Sequence, residues 1–399
     1  MGESTGMRHV SFATAGLLLA GWAVSGALPL AAQQMARDRA RDRAAVRLVW
    51  DQATLTLVQS GAVYGRMVRL PNQQVLCSYE RGSRVYVRRS RDEGRTWEQE
   101  TSVAAFEFGG AANPEMLVLQ NGWVLLSFNE RPRDGIHPFT IRTSVSRDGG
   151  ETWEGSKLVY EAGTNSGTGC WEPAQIQLPS GEIQLFFANE KPYPDTTEQE
   201  ITMVRSFDNG GSWSQPQRVS LRARFRDGMP VPLLLAGGKG IAVAIEDNGI
   251  AGKFKPAIVH TPLEENWRQP FVDGESPRRW AALKVQLPDS VYAGAPYLRQ
   301  FPGGETVLSV QSGEGRLNEG TLNNSQMVVY LGDSEARNFT GKSVPFPVVP
   351  EASGLWNGLF IKDETTVTAI SGTVINGVRG LWAIDGRLEY ARGTERRRQ

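Results

Sequence analysis

Three stretches of this chain are near copies: residues 90–97 (SRDEGRTW), 146–153 (SRDGGETW) and 206–213 (SFDNGGSW). Their common pattern is Ser-x-Asp-x-Gly-x-Thr/Ser-Trp, and the copies start 56 and then 60 residues apart. A self-similar period of this length constrains the fold more than any other feature, because each copy is one supersecondary unit that must stack on its neighbours. An Asp two residues after a Ser folds its carboxylate onto turn amides, and Gly supplies the left-handed backbone of a tight hairpin. The Trp then buries a large ring between neighbouring sheets.

A second element recurs six times: an apolar strand, a tight turn and another apolar strand. The turns begin at Leu70, Leu119, Leu178, Leu235, Phe301 and Ile361 and are rich in Pro, Asn, Asp and Gly. Such residues between two apolar runs are a hairpin signal. The Ser-x-Asp-x-Gly-x-Thr/Ser-Trp segments resemble the Asp-box of sialidase-like β-propellers, where the box closes the hairpin between the third and fourth strands of a blade. The expected fold is all-β, a six-bladed β-propeller of four-stranded antiparallel blades over residues 46–392. The first three blades carry the box. In the last three it has decayed, with Trp267 as its one candidate survivor. The stretch 46–58 is expected to donate a strand to the last blade and close the ring.

Residues 1–32 read as an export signal: Arg8 and His9, an apolar stretch from Val10 to Val24, then small residues up to Ala32. The segment 33–45 is a charged spacer, and 393–399 a basic, solvated tail. The exported chain of about 360 residues suits six blades in a single domain. It is expected to be a monomer, secreted or periplasmic, with no membrane span once the signal is removed. Lys+Arg and Asp+Glu are equal at 43 each, so no global field draws nucleic acid. Cys77 and Cys170 could form one disulfide or remain buried thiols. With three histidines in the whole chain, only His137 and His260 of them beyond the export signal, a His-rich metal site or a Ser-His triad is nearly excluded, and no metal or cofactor is expected. The chemistry falls to carboxylates.

Strand counting places the repeated hairpins and Asp-boxes on one face of the ring, and the starts of first strands with the ends of second strands on the other. That second face is built from Tyr64, Arg66, Asn113, Glu115, Trp171, Glu172, Asp227, Tyr297, Trp356 and Asn357, and from Glu80, Glu130, Glu190, Glu246 and Asp247. Carboxylates beside aromatic rings suit a neutral sugar. Glycoside hydrolysis generally needs two carboxyl groups, one protonated and one ionised. Glu172, between Trp171 and Pro173, is the first candidate. Glu246, ending the second strand of the following blade, is the other.

The combination of Trp171-Glu172-Pro173, Glu190, the box at 206–213 and Ile245-Glu246-Asp247 resembles glycoside hydrolase family 93, exo-acting α-1,5-L-arabinanases on a six-bladed sialidase-like propeller. The resemblance spans roughly residues 60–390. It implies a retaining, two-glutamate mechanism with Glu172 and Glu246 as the catalytic pair, in either order of roles, and an oligo- or polysaccharide substrate. It further implies stacking of sugar rings on Tyr64, Trp171, Tyr297 and Trp356, and hydroxyl contacts with Asn113, Glu190 and Asn357; Arg66, Glu115 and Asp247 complete the substrate-binding set. Two other readings stay open. An exo-sialidase would need three arginines for a carboxylate, with Arg66 as the first and Arg224, Arg226 and Arg299 as the remaining choices. A non-catalytic propeller would bind glycan or protein with the same fold and no working acid pair.

Overall fold

In a computed structural model of the chain, residues 46–390 are described and form one compact unit. The expected export signal, the charged spacer and the basic tail lie outside the described residues. Six four-stranded antiparallel sheets make up the unit. The chain enters through β1 (Val46–Ser60). Blade 1 is β2 (Val63–Arg69), β3 (Val75–Arg81), β4 (Arg84–Ser90) and β5 (Thr101–Ala105). Blade 2 is β6 (Gly109–Val118), β7 (Val124–Pro132), β8 (Thr140–Ser146) and β9 (Lys157–Glu161). Blade 3 is β10 (Cys170–Gln177), β11 (Ile183–Asn189), β12 (Glu200–Ser206) and β13 (Gln217–Ser220). Blade 4 is β14 (Asp227–Leu235), β15 (Gly240–Ala251), β16 (Lys253–Thr261) and β17 (Arg279–Ala281). Blade 5 is β18 (Ala293–Gln300), β19 (Thr306–Ser312), β20 (Gln326–Gly332) and β21 (Thr340–Ser343). Blade 6 is β22 (Leu355–Ile361), β23 (Thr366–Ile375) and β24 (Val378–Tyr390), completed by β1. The register Val46↔Tyr390 through Ser60↔Gly380 ties the two ends of the folded unit together, so no sheet edge is left open between first and last blade.

The Asp-boxes do what their residue types dictate. Asp148 Oδ1 accepts from the amides of Glu151 and Thr152, Asp148 Oδ2 from the Thr152 hydroxyl, and the Ser146 hydroxyl accepts from Gly150 N. Asp92 and Asp208 repeat the pattern on Thr96 and Ser212. These bonds to the ionised form hold the carboxyls of Asp92 and Asp148 down to about 2. Each box leans on the preceding blade: Trp153 packs on the cluster holding Leu70 and Leu76, and Trp213 on the one holding Leu125. Trp267 has the same place in blade 4, packing against Phe186 of blade 3 with its ring centroid 5.9 Å away. A further copy, invisible to the motif, sits in blade 5. There Asp333 Oδ1 accepts from the amides of Glu335 and Arg337 without the Ser, Gly or Trp of the consensus. Gly150 has φ +92°, and a Cβ there would stand 2.7 Å from Leu76 Cδ1. Gly150→Ala is expected to cost about 1–3 kcal/mol by equilibrium denaturation; an unchanged midpoint would show that the box does not set the blade contact.

Cys77 and Cys170 are both buried, free thiols. Burial pushes the Cys77 thiol up to about 12.

Candidate active site

Every innermost strand breaks its register at the same place: between Val63 and Arg66, Ala112 and Glu115, Trp171 and Ala174, Gly228 and Val231, Gly294 and Tyr297, and Leu355 and Gly358. Inside each break one non-glycine residue takes the left-handed region: Tyr64 (φ 58°), Asn113 (51°), Glu172 (49°), Met229 (50°), Ala295 (46°) and Trp356 (55°). Six β-bulges at one level re-aim six side chains, and the bulge amides of Ala295 and Trp356 donate to the side chains of Glu246 and Gln311. Left-handed geometry outside glycine costs about 1–3 kcal/mol per residue, so a ring of it is a feature the surrounding sheets must hold in place. The ring has an apolar side, where Tyr64, Met229 and Ala295 cluster with Trp356 packed against them. Asn113 and Glu172 supply the polar side.

Glu172 stands on this ring, and Glu246, on β15, lies close enough for its charge to act on it. Glu246 pairs in register with Gly228, and its Oε2 accepts the amide N–H of Ala295, the bulge residue of blade 5, at 2.7 Å. Among the described residues Glu172 makes no such bond, and its nearest cation is Arg131, with Nη2 3.9 Å from Oε1. Both carboxyls are raised to about 7, in each case chiefly by burial. Arg131 opposes the rise of Glu172 and the Glu246 charge adds to it. The Ala295 amide and Arg226 oppose the rise of Glu246. Two glycines make room for the Glu246 carboxylate. A Cβ on Gly228 would stand 3.0 Å from its Oε1, and one on Gly294 would collide with Oε2 and stand 2.5 Å from the Tyr292 hydroxyl. Gly294→Ala is therefore expected to displace the carboxylate and lower kcat/KM by about 10²-fold with the fold intact. Unaltered kinetics in a folded variant would show that Glu246 is not the working group.

Below the mouth the channel is plugged. Arg66 Nε donates to Glu115 Oε2 at 3.0 Å, and its Nη1 to the carbonyls of Gly65 and Trp356 at 2.8 and 3.2 Å. Its guanidinium lies between the rings of Tyr64 and Tyr297, 4.1 and 4.5 Å from their centroids. Tyr297 donates to Glu115 Oε1 at 2.9 Å, and Arg299 reaches the same oxygen at 3.3 Å. On the far side a cavity of about 380 Å³ opens, lined by Met67, Met116, Ile176 and Leu233 among others.

Several sequence expectations are corrected here. Asp247 is fully buried and accepts from Arg279 (2.7 Å), Arg222 (3.0 Å) and Gly249 N (2.7 Å), so it supports β15 and cannot touch substrate. Asn357 is buried beside the bulge, with neither amide atom hydrogen-bonded. Arg66, Glu115 and Tyr297 belong to the plug. Glu130 faces Thr140 and Arg142 within its own blade, so the acidic rim is smaller than the strand ends suggest. Trp171 is flanked by Phe139 (4.8 Å between centroids) and Arg131, and gives its indole N–H to Glu190 at 2.8 Å. Tyr64, Asn113, Glu190 and Trp356 remain near Glu172 and Glu246. Sequence reasoning did not single out Arg131, Gly228, Tyr292, Gly294 or Ala295 as site residues. Only the glycines left a trace, since Gly stands before the bulge residue in blades 4 and 5 alone.

A six-bladed, sialidase-like propeller with two glutamates at its mouth is the class that fold and site define. A BNR repeat-like domain model matches residues 122–286. The chain superposes on the glycoside hydrolase family 93 α-L-arabinofuranosidase of Fusarium graminearum, solved with arabinobiose, at a TM-score of 0.62 and 19% identity, over 86% of this chain and 97% of that one. The Penicillium chrysogenum α-L-arabinanase, also solved with arabinobiose, gives 0.61 and 17% over 84% and 97%. A Hadza microbial sialidase gives 0.53 and 13% over 82% and 66%. No curated protein sequence matches. The fold is thus one shared by glycoside hydrolases.

Proposed function

We propose that this chain is an exported, exo-acting, retaining glycoside hydrolase whose substrate is linear α-1,5-L-arabinan or a closely related neutral glycan. The observation that carries the reading is the pair Glu172 and Glu246, raised together at the channel mouth yet held differently. The Ala295 amide stabilises charge on Glu246, which suits a nucleophile. Glu172 lacks a hydrogen bond to its ionised form, which suits the acid that protonates the leaving oxygen and then deprotonates water. Arg66 speaks against the sialidase reading, because its guanidinium is spent on Glu115 and two carbonyls below the mouth. The test is incubation with linear α-1,5-arabinan and with a chromogenic sialoside, following the anomeric configuration of the first product by NMR. Short arabino-oligosaccharide released with retention supports the reading. Inversion, sialoside cleavage or no cleavage of either substrate defeats it.

The same pair sets the expected pH profile. Rate should fall above about pH 7 as Glu172 loses its proton, and fall on the acid side as Glu246 gains one. A kcat/KM profile flat from pH 5 to 9 would contradict the assignment.

A further inference from the structure

We propose that Arg131 is the positioning residue for Glu172: clamped by Asn113 and the Trp171 ring, its guanidinium orients that carboxyl into the mouth and governs its protonation. The inference rests on the reading of Glu172 as the acid but concerns a residue that no sequence motif marks. Arg131 lies near the end of β7, paired with Gly110 across the extended part of blade 2 that rises past the bulge. Three contacts converge on it. Nη2 donates to Asn113 Oδ1, the bulge residue of its own blade. The guanidinium carbon lies 5.1 Å from the ring of Trp171, which precedes Glu172. Nη2 also stands 3.9 Å from Glu172 Oε1, close enough for strong attraction yet too far for a hydrogen bond that would compel ionisation.

The other charges around Glu172 do not duplicate this. Arg226, from the segment before β14, is bonded to Glu190 and to the Thr197 carbonyl and acts on Glu172 only from a distance. Glu246 on β15 and Glu190 after β11 both disfavour its charged form. Tyr64 and Tyr292 face it with hydroxyls that burial holds neutral. Arg131 also faces Glu80, whose carboxyl is raised by burial and held back by the same guanidinium. Arg131 is thus the foremost cation for two carboxyls on the rim, ahead of Arg133 at Glu80 and Arg226 at Glu172, and its side chain is one-third exposed, so it can be exchanged without opening the core.

The test needs no substrate. Side-chain carboxyl ¹³C resonances are titrated in the full chain, with Glu172 and Glu246 assigned by their Gln variants, for wild type, Arg131→Met and Arg131→Lys. Arg131→Met should move the Glu172 midpoint upward by at least about one pH unit, while the Glu246 midpoint moves far less. Arg131→Lys, which keeps the charge and loses the planar fork, should return it part of the way. A Glu172 midpoint that stays put, or midpoints of both glutamates that move together as general loosening would make them, overturns the proposal. If the midpoint moves as expected while no glycan is cleaved, the positioning role stands and the arabinanase reading falls. If Met does not fold, Lys decides, since a Lys variant titrating exactly as wild type leaves the fork without a role.

Discussion

Glu172→Gln and Glu246→Gln are each expected to reduce arabinan hydrolysis by at least about 10³-fold, and to differ in what restores it. Glutamine at 246 leaves no nucleophile, so an activated aryl arabinoside does not rescue it, whereas in Glu246→Ala, which empties that side, azide should attack the anomeric carbon as the aryl group departs. Glutamine at 172 removes the proton donor, and an aryl leaving group that departs without a proton should recover much of the first step. The opposite pattern would exchange the two roles; no loss in either variant would sink the pair. Both variants should also be more stable than wild type at alkaline pH. A carboxyl whose folded value is about 7 against an ordinary 4.5 binds more protons folded than unfolded between those values, so it lowers stability as pH rises from 4.5 through 7. Each glutamate costs the folded state on the order of 3 kcal/mol above pH 7. Thermal melts at pH 5 and pH 8 check this: the gain on substitution should appear at pH 8 and nearly vanish at pH 5.

Arg279→Met is expected to destabilise the protein by about 3–5 kcal/mol. Arg279, on β17, donates to Asp227 Oδ1 at 2.9 Å and Asp247 Oδ2 at 2.7 Å, and both carboxylates are completely buried. Burial raises the Asp227 carboxyl, and Arg279 is the main influence opposing it. Without the arginine, Asp227 keeps the Ser220 hydroxyl and Asp247 keeps Arg222, which cannot compensate two charges in the interior. Since Asp227 precedes Gly228 and Asp247 follows Glu246, the loss should reach the active site as well. Urea denaturation measures it. Combining the change with Asp227→Asn and Asp247→Asn should recover part of the stability, because the uncompensated charges go with it. A loss below about 1 kcal/mol would show that the triad is a spectator.

The fold was legible because its signals are local. An Asp-box is a carboxylate closing on amides three and four residues away, and a hairpin declares itself by its turn residues, so the six-fold repeat followed from spacing, and the two faces from the place in a blade that the resemblance to Asp-box propellers gives the box. The fifth box escaped because Asp333 keeps the geometry with none of the consensus neighbours. Glu172 and Glu246 were legible as candidates, the first because it stands between Trp171 and Pro173 at a first-strand start, the second because it ends the second strand of the following blade. Their environment was not: the Ala295 amide lies 49 residues from Glu246, and Arg131 lies 41 residues from Glu172 on another blade.

Repeat period, turn chemistry and apolar alternation by themselves determined that this chain becomes six four-stranded blades closed by its own N-terminal strand, with glutamates at one mouth. Only the tertiary structure decided which polar side chains reach that mouth. Side chains in a strand alternate faces, so one extra residue in a bulge reverses every assignment beyond it. The bulge of blade 3 therefore sets Glu172 at the mouth, and Arg66, Glu115 and Tyr297, each just past its own bulge, bind one another in the plug, while Asp247, on a second strand, is buried by the two arginines that pair with it.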